Sequence, residues 1–122
     1  MKNRKPRILI VDDEEGFTKL TKLTLTEYDI CEENISARAL ETARGFQPDL
    51  ILLDVMMPGL DGGDVAAQLR ADSKLQKVPI IFLTAIVTPK ESARPLLGGY
   101  PFISKPVTPE RLVENIEKHL DR

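Results

Sequence analysis

The chain has 122 residues, 42% apolar and 30% charged, with a formal net charge of −2 and one cysteine. That length buries a real core as one domain and leaves no room for a second. With no basic block beyond the short Lys2–Arg7 stretch, direct nucleic-acid binding by the domain is not expected. No apolar run approaches a membrane span, so no membrane insertion is expected either. The opening MKNRKPRILIV is too short in its apolar part to be a signal peptide and runs into Asp12-Asp13. A lone Cys31 cannot form an internal disulfide, which points to a reducing, cytoplasmic location. A buried thiol is its simplest role.

In chain order, a strand over Arg7–Val11 runs into Asp12-Asp13. A helix over Glu15–Glu27 follows, with Phe17, Leu20 and Thr24 on one side. A short second strand lies near Tyr28–Cys31. The second helix covers Ser36–Arg44, with Ala37, Leu40 and Ala43 at helical spacing and Gly45 ending it. Strand three, Leu50–Leu53, runs into Asp54. Gly59, Gly62 and Gly63 loosen the loop before a helix over Asp64–Ala71.

Pro79 suits the first position of a strand, and Ile80–Leu83 runs into Thr84. Thr88-Pro89-Lys90-Glu91 has capping-box spacing for a fourth helix. Pro95 then arrives early, at a cost of about 3 kcal/mol inside a helix, so this helix is expected to be short or distorted. Phe102–Ser104 runs into Lys105-Pro106. The fifth helix starts at Thr108-Pro109-Glu110, with an N-cap and then proline at its first position. Its Leu112, Val113, Ile116 and Leu120 form one stripe. Alternating strands and helices favour an α/β fold with a parallel sheet covered on both faces. The carboxyl ends of such strands are where ligands bind.

Those ends carry Asp12, Asp13, Asp54, Thr84 and Lys105. Two like charges 4 Å apart repel by about 4 kcal/mol at an effective dielectric of 20. Three converging carboxylates therefore call for a cation or a bound proton. Oxygen-only ligands suit Mg²⁺ or Mn²⁺. With the divalent ion and Lys105 the pocket sums to neutrality, and a phosphoryl dianion can approach. Asp54, at the end of a buried strand, is the candidate nucleophile, able to form an acyl phosphate. Thr84 offers a hydroxyl to a phosphoryl oxygen. A cis Lys105-Pro106 bond would aim the lysine into the pocket. The blander readings are a solvated Asp12-Asp13 turn, a capping Asp54 and a turn threonine at 84.

Together these residues resemble the receiver domain of two-component response regulators, in particular its single-domain, CheY-like members. The stretches that carry the resemblance are ILIVDDEEG (8–16), PDLILLDVMMPGLDG (48–62), PIIFLTA (79–85) and FISKP (102–106). It covers essentially the whole chain, read as one receiver domain over 1–122 without an output domain. The resemblance implies a flavodoxin-like, doubly wound five-stranded parallel sheet of order 2-1-3-4-5, with two helices on one face and three on the other. It implies that Asp54 is the phosphoacceptor, that Asp13 holds Mg²⁺ directly and Asp12 mainly through water, and that the Met56 backbone carbonyl completes the protein ligands. Thr84 and Phe102 take the places of the switch hydroxyl and switch aromatic, and Lys105 that of the phosphate-pairing lysine.

The implied donor is a phosphohistidine on a sensor histidine kinase or a histidine phosphotransfer protein. The implied output is a change in the face made by helix 4, strand 5 and helix 5, read by a downstream protein or a fused output domain. Such a domain catalyses its own phosphorylation and dephosphorylation and is not a turnover enzyme. Two departures stand out. Pro95 and the stretch Leu96–Pro101 stiffen the signalling face. Met56 and Ile86, two residues after Asp54 and Thr84, cannot orient an attacking water, which implies slow dephosphorylation.

Three other readings fit less well. A nucleotide or flavin binder of the same topology would cradle phosphate at the first loop, which here is Asp12-Asp13-Glu14-Glu15. A docking module without phosphorylation would not need a filled pocket. Phosphotransfer through His119 competes with a dipole-stabilising role at a helix C-terminus, and the Met56-Met57 pair reads as filler.

Overall fold

The computed structural model describes residues 4–85, 96–97 and 99–120. Five parallel strands form the sheet: β1 (Arg7–Val11), β2 (Asp29–Glu33), β3 (Leu50–Asp54), β4 (Ile80–Thr84) and β6 (Tyr100–Ser104). Their order is β2-β1-β3-β4-β6, the 2-1-3-4-5 arrangement that the resemblance implies. A two-residue strand, β5 (Leu96–Leu97), adds to the outer edge of β6 in antiparallel register, Leu97 opposite Tyr100 and Leu96 opposite Pro101.

Continuous apolar runs in β1, β3 and β4 follow from burial on both faces. Alternate residues feed two cores. Leu9, Val11, Ile51, Leu53, Ile80 and Phe82 pack beneath helices α2 (Ala39–Phe46) and α3 (Gly62–Ala71). Ile8, Ile10, Leu50, Leu52, Ile81, Leu83 and Ile103 pack beneath α1 (Glu15–Thr24) and α4 (Pro109–His119). The stripe expected on the last helix is present: Leu112 and Ile116 are buried, and Val113 and Leu120 pack beside them. The Thr108 side chain accepts from the Arg111 N–H, and Pro109 opens the helix. Among the described residues, no helix is long and apolar enough to cross a membrane. The helix expected from Thr88, with Pro95 and Ile86, lies outside the described residues.

Several boundaries differ from the sequence reading. The first helix stops at Thr24, where the Leu25 N–H turns back to the Thr21 carbonyl. Its buried face is Thr18 and Thr21, continued by Leu25, while Leu20 and Leu23 point outward at 63% and 68% exposure. Thr21 closes its hydroxyl onto the Phe17 carbonyl at 2.8 Å, so a hydroxyl is buried there without loss. The second helix is preceded by a 3₁₀ turn over Ser36–Arg38 and runs past Gly45 to Phe46, which packs on the first core. Gln47 supplies the left-handed cap, at φ 55°.

The third helix begins at Gly62. Asp61 and Asp64 form a reciprocal capping box, and Gly62 sits hard against strand β3. A Cβ there would lie 2.5 Å from the Asp54 carbonyl oxygen and 2.8 Å from the Val55 Cα. Cys31 is half-buried, and burial pushes its thiol ionisation up.

Candidate functional site

Register sets the pocket. Val11 pairs with Leu53, Asp54 with Leu83, and Thr84 with Ser104. Each strand along β1, β3, β4 and β6 therefore delivers its terminal polar residue at a similar height on the carboxyl edge. Asp12 follows β1 directly and is fully buried. Asp54 closes β3 and Thr84 closes β4, both buried. Lys105 follows β6, and its N–H donates to the Thr84 carbonyl at 2.8 Å.

Carboxylate oxygens of Asp12, Asp13 and Asp54 lie within 4.8 Å of one another. Asp13 is exposed, so the cluster opens to solvent on one side. The Met56 N–H reaches the Asp54 Oδ1 at 3.4 Å. The Lys105 ammonium sits 2.7 Å from the Asp12 Oδ2, 2.8 Å from the Glu14 Oε1 and 3.9 Å from the Asp54 Oδ1. It also lies 4.9 Å from the centre of the Phe17 ring. Lys105–Pro106 is a cis peptide bond.

The electrostatics follow from burial and like charge. Burial, reinforced by the Asp12 charge and relieved in part by Lys105, pushes the Asp54 acid up to about 7. Burial among other carboxylates disfavours the charged form, and a bound cation would offset that cost. For Lys105, burial works against the ammonium, but its bonds to Asp12 and Glu14 outweigh it and the pKa is raised. Three clustered oxygen donors with no soft ligand among them suit a hard divalent ion. The residues therefore fit Mg²⁺ or Mn²⁺.

Four residues support the pocket in roles that the sequence did not assign to them. Glu14 reaches Lys105 from the N-cap of α1. Asn34 donates to the Asp12 carbonyl at 2.8 Å and to the Thr18 hydroxyl at 2.9 Å. Ser36 donates to the Pro58 carbonyl at 3.0 Å and accepts from the Leu60 N–H at 3.2 Å, pinning the loop after β3. Gly62 lets α3 start against Asp54. Asn34 had a signal: it follows the second strand as Asp12 follows the first, once that strand is extended to Glu33. Among the described residues, no buried side-chain nitrogen or oxygen lacks a partner.

Phe102 is partly buried against the first core. Beside it the Tyr100 ring meets Phe82 edge-on at 5.0 Å. The Arg70 guanidinium lies 5.6 Å over the Tyr100 ring. His119 is on α4, its Nδ1 2.9 Å from the Asn115 carbonyl.

Residues 8–117 match the response regulator receiver domain. The chain belongs to that family. Among curated relatives, the probable transcriptional regulator ycf27 of Pyropia yezoensis is 38% identical over 100% of this chain and 50% of its own length. The DNA-binding response regulator MtrA of Mycolicibacterium smegmatis is 35% identical over 100% of this chain and 54% of its own. The chain thus spans about half the length of these relatives. Among solved structures, the chemotaxis protein CheY4 of Vibrio cholerae superposes with a TM-score of 0.83 at 26% identity, covering 95% of this receiver and 99% of that chain. A response regulator from Desulfuromonas acetoxidans gives 0.81 at 29%, covering 93% and 94%. Membership places the receiver in phosphorelay signalling.

Proposed function

We propose that this receiver accepts a phosphoryl group on Asp54 from a phosphohistidine of a sensor histidine kinase or a histidine phosphotransfer protein. The observation that carries this is the buried Asp54 carboxylate at the end of β3, with oxygens of Asp12 and Asp13 clustered within 4.8 Å and the Lys105 ammonium 3.9 Å away. In the transfer, an Asp54 carboxylate oxygen attacks phosphorus, the bond from phosphorus to the donor imidazole nitrogen breaks, and the imidazole leaves with that electron pair.

Asp12, Asp13, Asp54 and the Met56 carbonyl would hold Mg²⁺ or Mn²⁺. When bound, the ion supplies the positive charge that lets a phosphoryl dianion approach these acids. Lys105 pairs with a phosphoryl oxygen, and Thr84 donates its hydroxyl to another. The readout runs through Thr84 and Phe102 to β6, α4 and the segment between β4 and β5, and is taken up by a downstream protein or a linked output domain. The receiver segment contacts no nucleic acid itself, in keeping with its net charge of −2. It works in the cytoplasm, where the histidine-phosphate donors would meet it.

Intact mass after incubation with acetyl phosphate tests this. The expected result is a gain of one phosphoryl group that requires Mg²⁺, vanishes with a chelator and is absent in Asp54→Asn. A gain that survives in Asp54→Asn moves the acceptor elsewhere and overturns the assignment.

A further inference from the structure

Lys105 has three ammonium hydrogens, and its two short contacts go to Asp12 and Glu14 rather than to Asp54. The two partners are held very differently. Asp12 is fully buried, and its second oxygen accepts the Glu14 N–H at 3.0 Å. Its backbone is tied down as well: the N–H bonds the Glu33 carbonyl, and its own carbonyl accepts from Asn34. Asp12 cannot leave.

The Glu14 side chain is 64% exposed. It occupies the N-cap of α1, a position where a short polar side chain usually closes on the helix N–H groups. Glu14 makes no such cap bond. Its backbone carbonyl alone accepts from Phe17 and Thr18. The side chain is thus not spent on the helix. It can swing into water at the cost of one exposed ion pair.

We infer that Glu14 is a placeholder for the phosphoryl group, a positioning residue whose carboxylate occupies a Lys105 donor until an anion on Asp54 displaces it. This rests on Asp54 being the phosphoacceptor. The contact biases Lys105 toward the mouth of the pocket and sets how much of the phosphoryl–lysine attraction is available to the switch. Without it, Lys105 reaches an anion on Asp54 with one competitor fewer.

The test is the affinity of the Mg²⁺-loaded protein for beryllofluoride, a stable stand-in for a carboxylate-bound phosphoryl group, by titration calorimetry. Glu14→Gln is expected to bind it about three- to fivefold more tightly than wild type, the worth of an exposed ion pair. Glu14→Asp keeps the charge but falls one methylene short of Lys105, and is expected to behave like Glu14→Gln. The difference should shrink in high salt. Equal affinities for wild type and Glu14→Gln overturn the inference while leaving the acceptor assignment intact. Tighter binding by Glu14→Gln with Glu14→Asp like wild type also overturns it, since general charge would then be the cause. If wild type takes beryllofluoride no better than Asp54→Asn, the acceptor reading fails and takes this one with it.

Discussion

The floor and the rim of the pocket are built by different means. Asp12, Asp54 and Thr84 are buried and issue from strands whose register fixes their height. Asp13, Glu14 and Met56 are exposed and issue from loops. On the floor a side chain is placed by the sheet, and moving it means moving a ladder of hydrogen bonds. On the rim a side chain holds its place only by what it touches. Chemistry that needs fixed geometry belongs to the floor, and exchange of partners belongs to the rim.

The sharpest way to break this comparison is to push on the floor from behind. Gly62→Ala brings a methyl group to 2.5 Å from the Asp54 carbonyl oxygen and 2.8 Å from the Val55 Cα. Both are backbone atoms, so neither can yield cheaply. A loss of about 3 kcal/mol in denaturant unfolding is expected, together with loss of phosphoryl uptake as the Asp54 peptide shifts. Unchanged stability would mean that α3 is free to slide.

A smaller effect probes the charge on the floor. Asp54 ionises near 7 in the folded protein and near 3.9 in an unfolded chain. Between those values the folded state keeps a proton that the unfolded state has released, so stability falls as pH rises through the window. Without metal, Asp54→Asn should therefore be more stable than wild type at pH 8 and equal to it at pH 4. Mg²⁺ should narrow the difference by stabilising wild type. Chemical unfolding with and without chelator reads both.

The smallest effect sharpens the rim. The Met56 side chain is 58% exposed and has no group that can hold a water in line with phosphorus. Met56→Asn supplies one, and should shorten the life of the phosphoprotein about tenfold, well under the contribution of a full general base. Its fold stability should stay within about 0.5 kcal/mol of wild type. A shift in stability larger than the shift in lifetime would put Met56 on the floor side of the division.

Much of the floor was legible because burial on both faces leaves an unbroken apolar run, and the residue that ends the run stands out. Ile8–Val11, Leu50–Leu53 and Ile80–Leu83 each announced their aspartate or threonine in this way. The outer face of α1 was not legible, because periodicity groups Leu20 with Phe17 and Thr24 on one side. The fold instead turns Thr18 inward, 2.9 Å from Glu32, and leaves Leu20 in water.

Gly62 read as a loose loop because sequence cannot distinguish a glycine needed for freedom from one needed for close approach. Gly45 read as a helix end, but the pull of Phe46 on the core carries α2 past it. Glu14 was hidden for the opposite reason. An acid at a helix start has a sufficient local explanation in the dipole, so nothing pointed to a lysine ninety-one positions away.

Strand β5 has a consequence for how copies of this chain meet. A sheet with a bare outer strand invites strand addition from a neighbour. Here the first residues of β6 are already matched by Leu96 and Leu97, and Pro101 has no N–H to offer an intruder. At the opposite margin, β2 presents Asp29, Glu32 and Glu33 in a single five-residue strand, and a second copy would bring like charges edge to edge. The margins of the sheet are thus protected unequally, the start of β6 by occupancy and β2 by repulsion, in a domain whose central strands are apolar enough to aggregate if they were ever laid open.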